Sequence, residues 1–367
     1  MSGGPDLRHD AAAWDAFVEG TEHGSYLQLD GWAQVKAPNG WRARRVVAGA
    51  PGERIGLQVL LRRPRPLPWA LAYAPRGPVA EAWTPAAIAN LTAALRAAGP
   101  ELGRISHLRI DPEVEADGPD DPGGALRTAL ERAGWQAAPS IQPPTSRVID
   151  LVADEDALWS DLRKKWRQYV NKARASAVTV VELPGDPIPP FYEIYRETAQ
   201  RAGFLIRVEQ AYRDVYEAFA PAGRGRILFA VGPDGTPLAS LFLVRTGRRV
   251  VEPYGGMTAI GAELRANYLL KWEAIRRSRE EGAATYDLWG LAHPGIAHFK
   301  AGFGGREVRY VGGWDLVLDP LGRRVYETAQ RARVRWARAR AGLAPGAPAT
   351  ASAGSPGGTA GDGGDAG

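Results

Sequence analysis

Hydrophobic and polar positions in the first half of the chain follow first the period of strands and then that of a helix. Three segments alternate or run apolar, as strands do, at residues 42–48, 55–62 and 69–74. Residues 85–98 carry Ile88, Leu91 and Leu95 at helical spacing, and residues 106–110 form a short apolar run. The first half therefore predicts three strands, a helix and a fourth strand.

The second half repeats this order of elements. Three further strands are predicted at residues 226–231, 238–245 and 250–254. The sequence Pro233-Asp234-Gly235 between the first two is typical of a hairpin turn. A helix is predicted at residues 266–281, with Gly282 as its stop, and a strand at residues 285–289. The repetition indicates a mixed α/β (α+β) protein with two tandem domains, each a mixed sheet flanked by helices.

Residues 154–176, between the two repeats, are predicted to form one amphipathic helix. Its apolar face consists of Leu158, Leu162, Trp166, Val170 and Ala173, and its polar face of Lys164, Arg167, Asn171 and Arg174. Three acids at its start suit the positive end of the helix dipole. Two interpretations stay open, a solvated surface helix or a cationic face that covers an anionic substrate.

The C-terminal region divides into a basic helix and a tail. Residues 322–340 carry seven arginines against one acid, Glu327, which favours nucleic-acid contact over a merely solvated surface. Residues 341–367 are rich in small residues and proline and contain no aromatic residue, so we predict a disordered tail. The predicted domains are residues 1–146, completed by a C-terminal helix at 318–340, and residues 147–317.

Composition and charge narrow the possible functions of these 367 residues. The absence of cysteine excludes disulfide scaffolds, thiolate metal sites and cysteine nucleophiles. The five histidines lack metal-ligand spacing, so we expect no metal site. Neither a membrane-spanning segment nor a cleavage signal is predicted. We expect a cytoplasmic protein that also reaches the inner face of the membrane, and its net charge of +5 permits an anionic partner.

The repeated order of elements resembles the fold of GNAT acyltransferases. In that fold the turn before the long helix is rich in glycine, and the helix N-terminus binds the pyrophosphate of acyl-CoA. The corresponding turn at residues 262–266 lacks paired glycines and contains Glu263, whose carboxylate would repel a pyrophosphate. The turn therefore favours an acyl donor other than acyl-CoA.

A series of short motifs runs along residues 25–320 in a fixed order. In the first half they are Ser25-Tyr26-Leu27-Gln28, Gly31-Trp32-Ala33-Gln34-Val35-Lys36, Tyr73-Ala74-Pro75-Arg76-Gly77-Pro78, Arg109-Ile110-Asp111-Pro112 and Gln142-Pro143-Pro144-Thr145. In the second half they are residues 164–173, residues 198–204, Tyr286-Asp287-Leu288-Trp289-Gly290 and residues 298–305. In this joint order the motifs resemble the Fem family of peptidoglycan-bridge aminoacyltransferases.

The resemblance implies an activity and its partners. The family moves an amino acid from aminoacyl-tRNA to the stem-peptide amine of a peptidoglycan precursor, which is nucleotide-linked or lipid-linked. It implies aminoacyl-tRNA as a co-substrate and no cofactor, and we expect a monomer. No long helical arm is predicted between residues 176 and 226, as in the shorter members of the family. Ala202 follows Arg201 where the family has an acid.

The chemistry of aminoacyl transfer draws attention to Lys300. Because the ester is already activated, the reaction needs an amine held near the carbonyl and a partner for the developing oxyanion. Phe299-Lys300 before the glycine-rich residues 302–305 suits this role, although a surface lysine before a tight turn has the same sequence. The resemblance assigns the family's catalytic lysine to Lys300. Asp111, before Pro112, could orient the acceptor, act as a weak base or cap a turn.

Further site residues follow from the resemblance. Lys36 and Arg207 match positions that contact the diphosphate of the acceptor, a group that both side chains bind well. Tyr73, Tyr212 and Tyr254 match positions that contact the uridine or the peptide, although such tyrosines alone are more often core residues. Basic residues of the two helices are expected to contact tRNA phosphates, namely Lys164, Arg167, Arg331, Arg335 and Arg338.

Two other functions are weighed against this one. An acyl-CoA-dependent N-acyltransferase of the GNAT type, acting on a small amine, is disfavoured by the turn at residues 262–266. An RNA-binding protein that kept the fold and lost the chemistry is disfavoured by the intact Phe299-Lys300 pair.

Overall fold

The computed structural model describes residues 6–64, 67–291 and 294–340 of the chain. Its strands are β1 (Arg42–Ala48), β2 (Ile55–Arg62), β3 (Ala70–Ala74), β4 (Val79–Ala80), β5 (Ile105–Ile110), β6 (Trp135–Ala138), β7 (Thr145–Asp150), β8 (Thr179–Val181), β9 (Gly225–Val231), β10 (Pro237–Thr246), β11 (Arg249–Met257), β12 (Thr285–Asp287), β13 (Arg306–Arg309) and β14 (Gly313–Val317). Its α-helices are α1 (Ala11–Gly20), α2 (Asp30–Lys36), α3 (Pro85–Ala97), α4 (Gly99–Leu102), α5 (Ala125–Arg132), α6 (Glu155–Asp161), α7 (Lys164–Ala175), α8 (Ile188–Ala202), α9 (Glu209–Phe219), α10 (Ala259–Glu263), α11 (Ala266–Glu280), α12 (Pro294–Ala301) and α13 (Pro320–Arg340). Within the described ranges, none of these helices has the length and apolar character that a membrane crossing requires.

The first sheet has the strand order β1-β2-β3-β5-β14-β6, with β4 paired to β2. Among the described strands of this sheet, only β3 and β5 run parallel, and α3 and α4 lie in the connection that a parallel pair requires. Ile55 to Leu61 of β2 are all buried, because this strand is covered on both faces. Helices α3 and α5 pack on the sheet through Ile88, Leu91 and Leu130.

The second sheet has the order β13-β7-β12-β11-β10-β9-β8, and only β11 and β12 run parallel. Helices α6, α7 and α11 share one core cluster with the sheet. Helices α8 and α9, which the sequence analysis did not predict, share the other cluster. They pack against the sheet and do not project from it as an arm.

The predicted repeat is present in both sheets. Three antiparallel strands, a helical connection and a fourth strand parallel to the third occur as β1-β2-β3-α3-β5 and as β9-β10-β11-α11-β12. The predicted fold class, two tandem mixed sheets flanked by helices, is confirmed.

Several elements near the ends of each half pair or pack with the other half of the chain. Strand β14, at the end of the predicted second domain, lies between β5 and β6 of the first sheet. Strand β7 starts at Thr145, before the predicted boundary, and pairs in the second sheet. Helices α1 and α2 belong to the core cluster that contains α8 and α9. Helix α13 packs against β5 of the first sheet. The domain boundaries at residues 146 and 317 stay predictions.

The prediction of one helix at residues 154–176 is wrong, because the chain forms α6 and α7 with a break between them. Leu162 and Arg163 have extended ψ angles of 137° and 140°. The Arg167 guanidinium donates to the carbonyl oxygens of Ser160 and Leu162, both at 2.7 Å, and so satisfies the end of α6. Both helices still bury the predicted apolar face, so the hydrophobic pattern did not reveal the break. The predicted tail, residues 341–367, lies outside the described residues.

Candidate active site

Lys300 lies in the last turn of α12, against the residues that follow β12. Its ammonium donates to the carbonyl oxygens of Trp289 and Gly290, at 2.9 and 2.8 Å. Strand β12 ends at Asp287, two residues before its predicted end, and Trp289 turns the chain away with a φ of 59°. Because an ammonium has three N–H donors, these two carbonyls leave one N–H for a further acceptor.

The surroundings of Lys300 lower its proton affinity but leave it charged at neutral pH. Burial lowers the pKa of Lys300 to about 8; the Glu252 and Asp287 carboxylates oppose this shift and the Lys271 ammonium adds to it. At pH 7 the side chain is therefore mainly an ammonium. A half-buried cation whose position is fixed by two carbonyl groups is well suited to stabilise an oxyanion that develops beside it.

Phe299 belongs to an aromatic wall next to Lys300. Its ring centre lies 5.3 Å from those of Tyr268 and Phe303. The Trp166 indole N–H donates to the Phe299 carbonyl at 3.0 Å, which ties α12 to α7. A Cβ added at Gly302 would overlap the Trp166 ring, so this position needs glycine for the close approach. The aromatic wall fixes the position of the C-terminal turn of α12, and hence the position of Lys300.

A cavity of about 120 Å³ brings together three of the predicted substrate-binding residues. Lys36 ends α2, Tyr73 lies on β3, and Arg207 precedes α9, so both halves of the chain contribute. Further polar and aromatic lining comes from Trp32, Trp41, His107, Arg109, Gln142 and Tyr326. The cavity therefore offers cations, hydrogen-bonding groups and flat rings to one ligand.

Lys36 and Arg207 make this cavity suitable for an anion. Lys36 is only 8% exposed, and its ammonium lies 4.4 Å from the centre of the Trp32 ring. Burial lowers the pKa of Lys36 to about 7; the Arg207 guanidinium lowers it further and the Asp214 carboxylate opposes the shift. An anion bound between two cations that repel each other stabilises the charge of both. A phosphate or diphosphate group fits this requirement.

Tyr212 and Tyr254 lie behind Arg207. The Tyr212 hydroxyl accepts a hydrogen bond from the Arg207 backbone N–H at 3.2 Å, and Tyr212 is 3% exposed. The ring centres of Tyr212 and Tyr254 are 5.0 Å apart in an edge-to-face arrangement. In this structure Tyr212 holds the backbone that carries Arg207, whereas Tyr73 lines the cavity itself.

Asp111 is buried beneath the cavity and its carboxylate is fully engaged. It accepts from the Tyr73 hydroxyl at 2.9 Å and from the backbone N–H groups of Arg76 and Gln142 at 2.8 and 2.9 Å. Burial raises the pKa of Asp111, against the opposing effects of Arg76 and of these hydrogen bonds. Of the three roles weighed for Asp111, these contacts are most like the capping of a turn, since the carboxylate holds backbone N–H groups at residues 76 and 142; it also orients the Tyr73 hydroxyl.

The predicted tRNA-binding residues differ in their exposure. Lys164 is exposed on α7, next to exposed Lys165. Arg167 is half-buried and donates to the end of α6, as described above. Arg331 is exposed and pairs with Glu327 at 3.0 Å. The side chains of Arg335 and Arg338 lie outside the described residues.

Comparison with known proteins identifies the family. The model of the FemAB family matches residues 10–231 and 224–331, which together contain Lys36, Tyr73, Arg207 and Lys300. The chain belongs to the FemAB family.

The sequence relatives of this FemAB chain have closely similar names. A lipid II:glycine glycyltransferase of Staphylococcus aureus (strain MRSA252) is 24% identical over 407 aligned positions, covering 89% of this chain and 95% of that protein. One of Staphylococcus saprophyticus is 24% identical over 381 positions, covering 84% and 91%. One of S. aureus (strain USA300) is 28% identical over 277 positions, covering 73% and 61%. The predicted family and the predicted enzyme class, an aminoacyltransferase, are confirmed.

A solved structure shares the fold of this FemAB chain. The crystal structure of FemX superimposes with a TM-score of 0.77 at 22% identity and covers 87% of this chain and 98% of that one. A protein of unknown function from Bacteroides thetaiotaomicron superimposes with a TM-score of 0.54 at 12% identity. Both likenesses concern the fold.

Sequence reasoning missed a buried polar group beside the aromatic wall of this FemAB chain. Lys271 on α11 forms an ion pair with Glu252 on β11, and Glu252 also accepts from the Tyr286 hydroxyl at 2.8 Å. The Lys271 ammonium lies 5.7 Å from the centres of the Phe299 and Phe303 rings. A lysine on the apolar face of a helix and a glutamate within an apolar strand were the available signals.

One group of possible metal ligands lies away from this site. In the described ranges, Glu22, His23 and Asp120 place ligand atoms within 4.8 Å of one another, and none of them lines the cavity. The His23 ring already contacts Asp120 at 2.7 Å. The expectation that the reaction needs no metal and no cofactor stays a prediction.

Proposed function

We propose that this chain moves an amino acid from aminoacyl-tRNA to the stem-peptide amine of a peptidoglycan precursor. The pairing of Lys36 and Arg207 in one cavity with Tyr73 carries the proposal, because it offers a diphosphate two cations and a ring at once. The names of the relatives, lipid II:glycine glycyltransferases, support an acceptor from cell-wall synthesis.

The transfer itself needs few groups from the protein. The amine nitrogen attacks the ester carbonyl, a C–N bond forms, and the C–O bond to the tRNA ribose breaks. The proton lost by the amine ends on the ribose oxygen, so the tRNA leaves as an alcohol. Negative charge develops on the carbonyl oxygen, where the third N–H of Lys300 is suited to donate. The Phe299 ring and its aromatic neighbours lie beside this position.

The aminoacyl-tRNA donor is proposed to bind at the surface formed by helix α7. Lys164 and Lys165 are exposed there, and Arg163 contacts the His298 ring at 3.1 Å, two residues before Lys300. Cations of this kind bind the phosphates of RNA without reading its sequence. The exposed carboxylate of Glu263, before α11, gives no support to the acyl-CoA alternative.

The proposal is tested by direct transfer. Purified protein is incubated with aminoacylated total tRNA and either the nucleotide-linked or the lipid-linked pentapeptide precursor. The mass of the precursor is then measured by mass spectrometry. We expect a mass increase equal to one or more aminoacyl groups, abolished when the tRNA is deacylated beforehand. A parallel reaction with acyl-CoA and no tRNA tests the alternative. No mass increase on either precursor would contradict the proposal.

A further inference from the structure

Four charged residues, three of them buried and one half-buried, join the two halves of the chain between the cavity and Lys300. They are two arginines and two carboxylates, Arg76, Glu113, Arg249 and Asp287. Arg76 and Glu113 come from the first half, and Arg249 and Asp287 from β11 and β12 of the second sheet. The exposed fractions of Arg76, Glu113 and Asp287 are 1%, 3% and 0%. The group is neutral as a whole, so each charge has an opposite charge beside it.

The ion pairs of this group form a continuous line. The Arg76 Nε lies 3.1 Å from a Glu113 carboxylate oxygen. The other oxygen of Glu113 accepts from Arg249 Nη1 at 2.7 Å, and Arg249 Nη2 pairs with Asp287. Arg249 is thus the member that holds a carboxylate of each half with one planar guanidinium.

The line continues from Asp287 to Lys300 through the backbone. Asp287 Oδ1 accepts from the Trp289 N–H at 2.7 Å. The carbonyl oxygens of Trp289 and Gly290 in turn accept from the Lys300 ammonium. The place of Asp287 therefore determines where the two carbonyls that hold the ammonium lie.

The other end of the line reaches the cavity. The Arg76 backbone N–H donates to Asp111 at 2.8 Å, and Asp111 accepts from the Tyr73 hydroxyl of the cavity. The Arg76 guanidinium also donates to the Pro143 carbonyl at 2.9 Å, next to Gln142 of the cavity wall. Through these contacts the cavity and Lys300 are fixed to the same four charges.

We infer that Arg249 is a positioning residue for aminoacyl transfer: by holding Glu113 and Asp287 together, it sets the Lys300 ammonium at the distance from the acceptor cavity that the reaction needs. This inference rests on the proposed function. Arg249 touches neither the cavity nor Lys300, so it acts through Asp287 and the carbonyls. Rates are sensitive to such placement, because a displacement of about 1 Å at a reacting group can cost about 10²-fold.

The test compares Arg249→Lys with the wild type in the transfer reaction. Lysine keeps the charge balance of the buried group, so the fold should survive, but it cannot hold two carboxylates with one planar fork. We expect kcat to fall about 10- to 100-fold, with KM for the precursor within about twofold of wild type. Arg224→Lys is the matched control, because Arg224 also holds two carboxylates, Asp15 and Glu19, away from this line. Its kcat should stay at the wild-type value.

A double-mutant cycle separates positioning from a merely structural role. If Arg249 acts through Lys300, the double variant Arg249→Lys/Lys300→Met has the same kcat as Lys300→Met alone. A further fall in the double variant, or a normal kcat in Arg249→Lys with only a lowered Tm, overturns the inference. If the wild type itself transfers no aminoacyl group, the proposed function fails. If the wild type transfers the aminoacyl group and Arg249→Lys has the same kcat, the positioning role of Arg249 is refuted and the proposed function is not.

Discussion

At the scale of single residues, Lys300 places a positive charge in a half-buried position. Its ammonium contact with the oxyanion would strengthen in the transition state, so its loss should lower kcat more than KM. For Lys300→Met we expect kcat to fall by about 10²–10³, as when one oxyanion donor is removed. Lys300→Arg keeps the charge but not its place and should recover little of the rate.

The turnover of the folded variant and its pH dependence distinguish the catalytic role of Lys300 from a structural one. Lys300→Met leaves the Trp289 and Gly290 carbonyls without their donor, so a loss of about 1–3 kcal/mol in unfolding free energy is expected. Turnover is therefore measured well below the Tm of the variant. Since the ammonium is the active form, the ratio of wild-type kcat to the kcat of Lys300→Met should be largest below pH 7 and fall as pH rises through the Lys300 pKa of about 8. Near-normal kcat in the folded methionine variant contradicts the catalytic assignment.

Lys36 and Arg207 lead to a prediction about binding. Lys36→Met or Arg207→Ala should raise KM for the precursor, with a loss of roughly 1.5–3 kcal/mol for each charge-assisted contact. Because the pKa of Lys36 is lowered to about 7 and the charged form binds the anion, precursor affinity should weaken as pH rises above 7. Calorimetric titration of both variants checks this prediction. Wild-type affinity in both would place the diphosphate elsewhere.

Residue types alone could not distinguish the residues that line the cavity from those that support them. Asp111 and Tyr212 match functional positions, yet the structure buries both as supports for Tyr73 and Arg207. A sequence does not show which hydrogen bonds a carboxylate already makes, and that decides whether it can act on a ligand. The grouping of Lys36, Tyr73 and Arg207 needed the family resemblance, because the three are far apart along the chain.

At the scale of elements, the contact between α12 and α7 depends on one small residue. An alanine at Gly302 would force its Cβ into the buried Trp166 ring, and a flat ring packed on both sides cannot give way. Gly302→Ala should therefore lower unfolding free energy by about 1–3 kcal/mol and lower kcat through Lys300, two residues away. Thermal melts and turnover on the same sample measure both effects.

Gly295, in the same helix, is the matched control. Among the described residues, nothing lies within 4 Å of a Cβ added there. Gly295→Ala should therefore keep kcat and raise stability slightly, by up to about 1 kcal/mol, because alanine favours helix more than glycine does. An equal loss of activity in both alanine variants would contradict this prediction. It would show that kcat depends on any substitution in helix α12 and not on the contact with Trp166.

The elements were predictable where local sequence decides them. The hairpin at residues 233–235 and the helix stop at Gly282 follow from local turn chemistry, and both lie where they were predicted. The break between α6 and α7 was not predictable from periodicity, because the Arg167 side chain makes it possible while the apolar face continues. The early end of β12 likewise follows from tertiary contacts, since Asp287 and Lys300 hold the turned chain at Trp289.

At the scale of the whole molecule, each half of the chain contributes elements to the sheet or core of the other half. Strand β14 from the C-terminal region lies inside the first sheet, and helices α1 and α2 from the N-terminal region pack beside α9. The sequence analysis placed each segment in the same domain as the segments next to it in sequence, because consecutive elements are usually adjacent in space. Strand β14 and helices α1 and α2 do not follow this rule. These crossings, with the buried charges around Arg249, place the cavity and Lys300 in one body.

The last prediction concerns where this body binds tRNA, for which two basic surfaces compete. One is α7 with Lys164 and Lys165, near Lys300, and the other is the arginine-rich α13. Phosphate contacts release counterions, so affinity should fall linearly with salt on a double-logarithmic plot, with a slope reduced by about 0.7–0.9 for each contact removed. If α7 binds the acceptor end of the tRNA, Lys164→Gln/Lys165→Gln should lower both the slope and the affinity and raise KM for aminoacyl-tRNA.

The second arm of this experiment replaces the arginines Arg331, Arg335 and Arg338 together by glutamine. If α13 also contacts the tRNA, the slope should fall here too, while precursor binding stays unchanged. Arg132→Gln, an exposed arginine on α5, serves as the control and should leave the slope unchanged. Because α13 packs on the first sheet and α7 on the second, a reduced slope in both arms means that tRNA spans the two halves. An unchanged slope in the α13 arm at physiological salt removes that helix from the tRNA site.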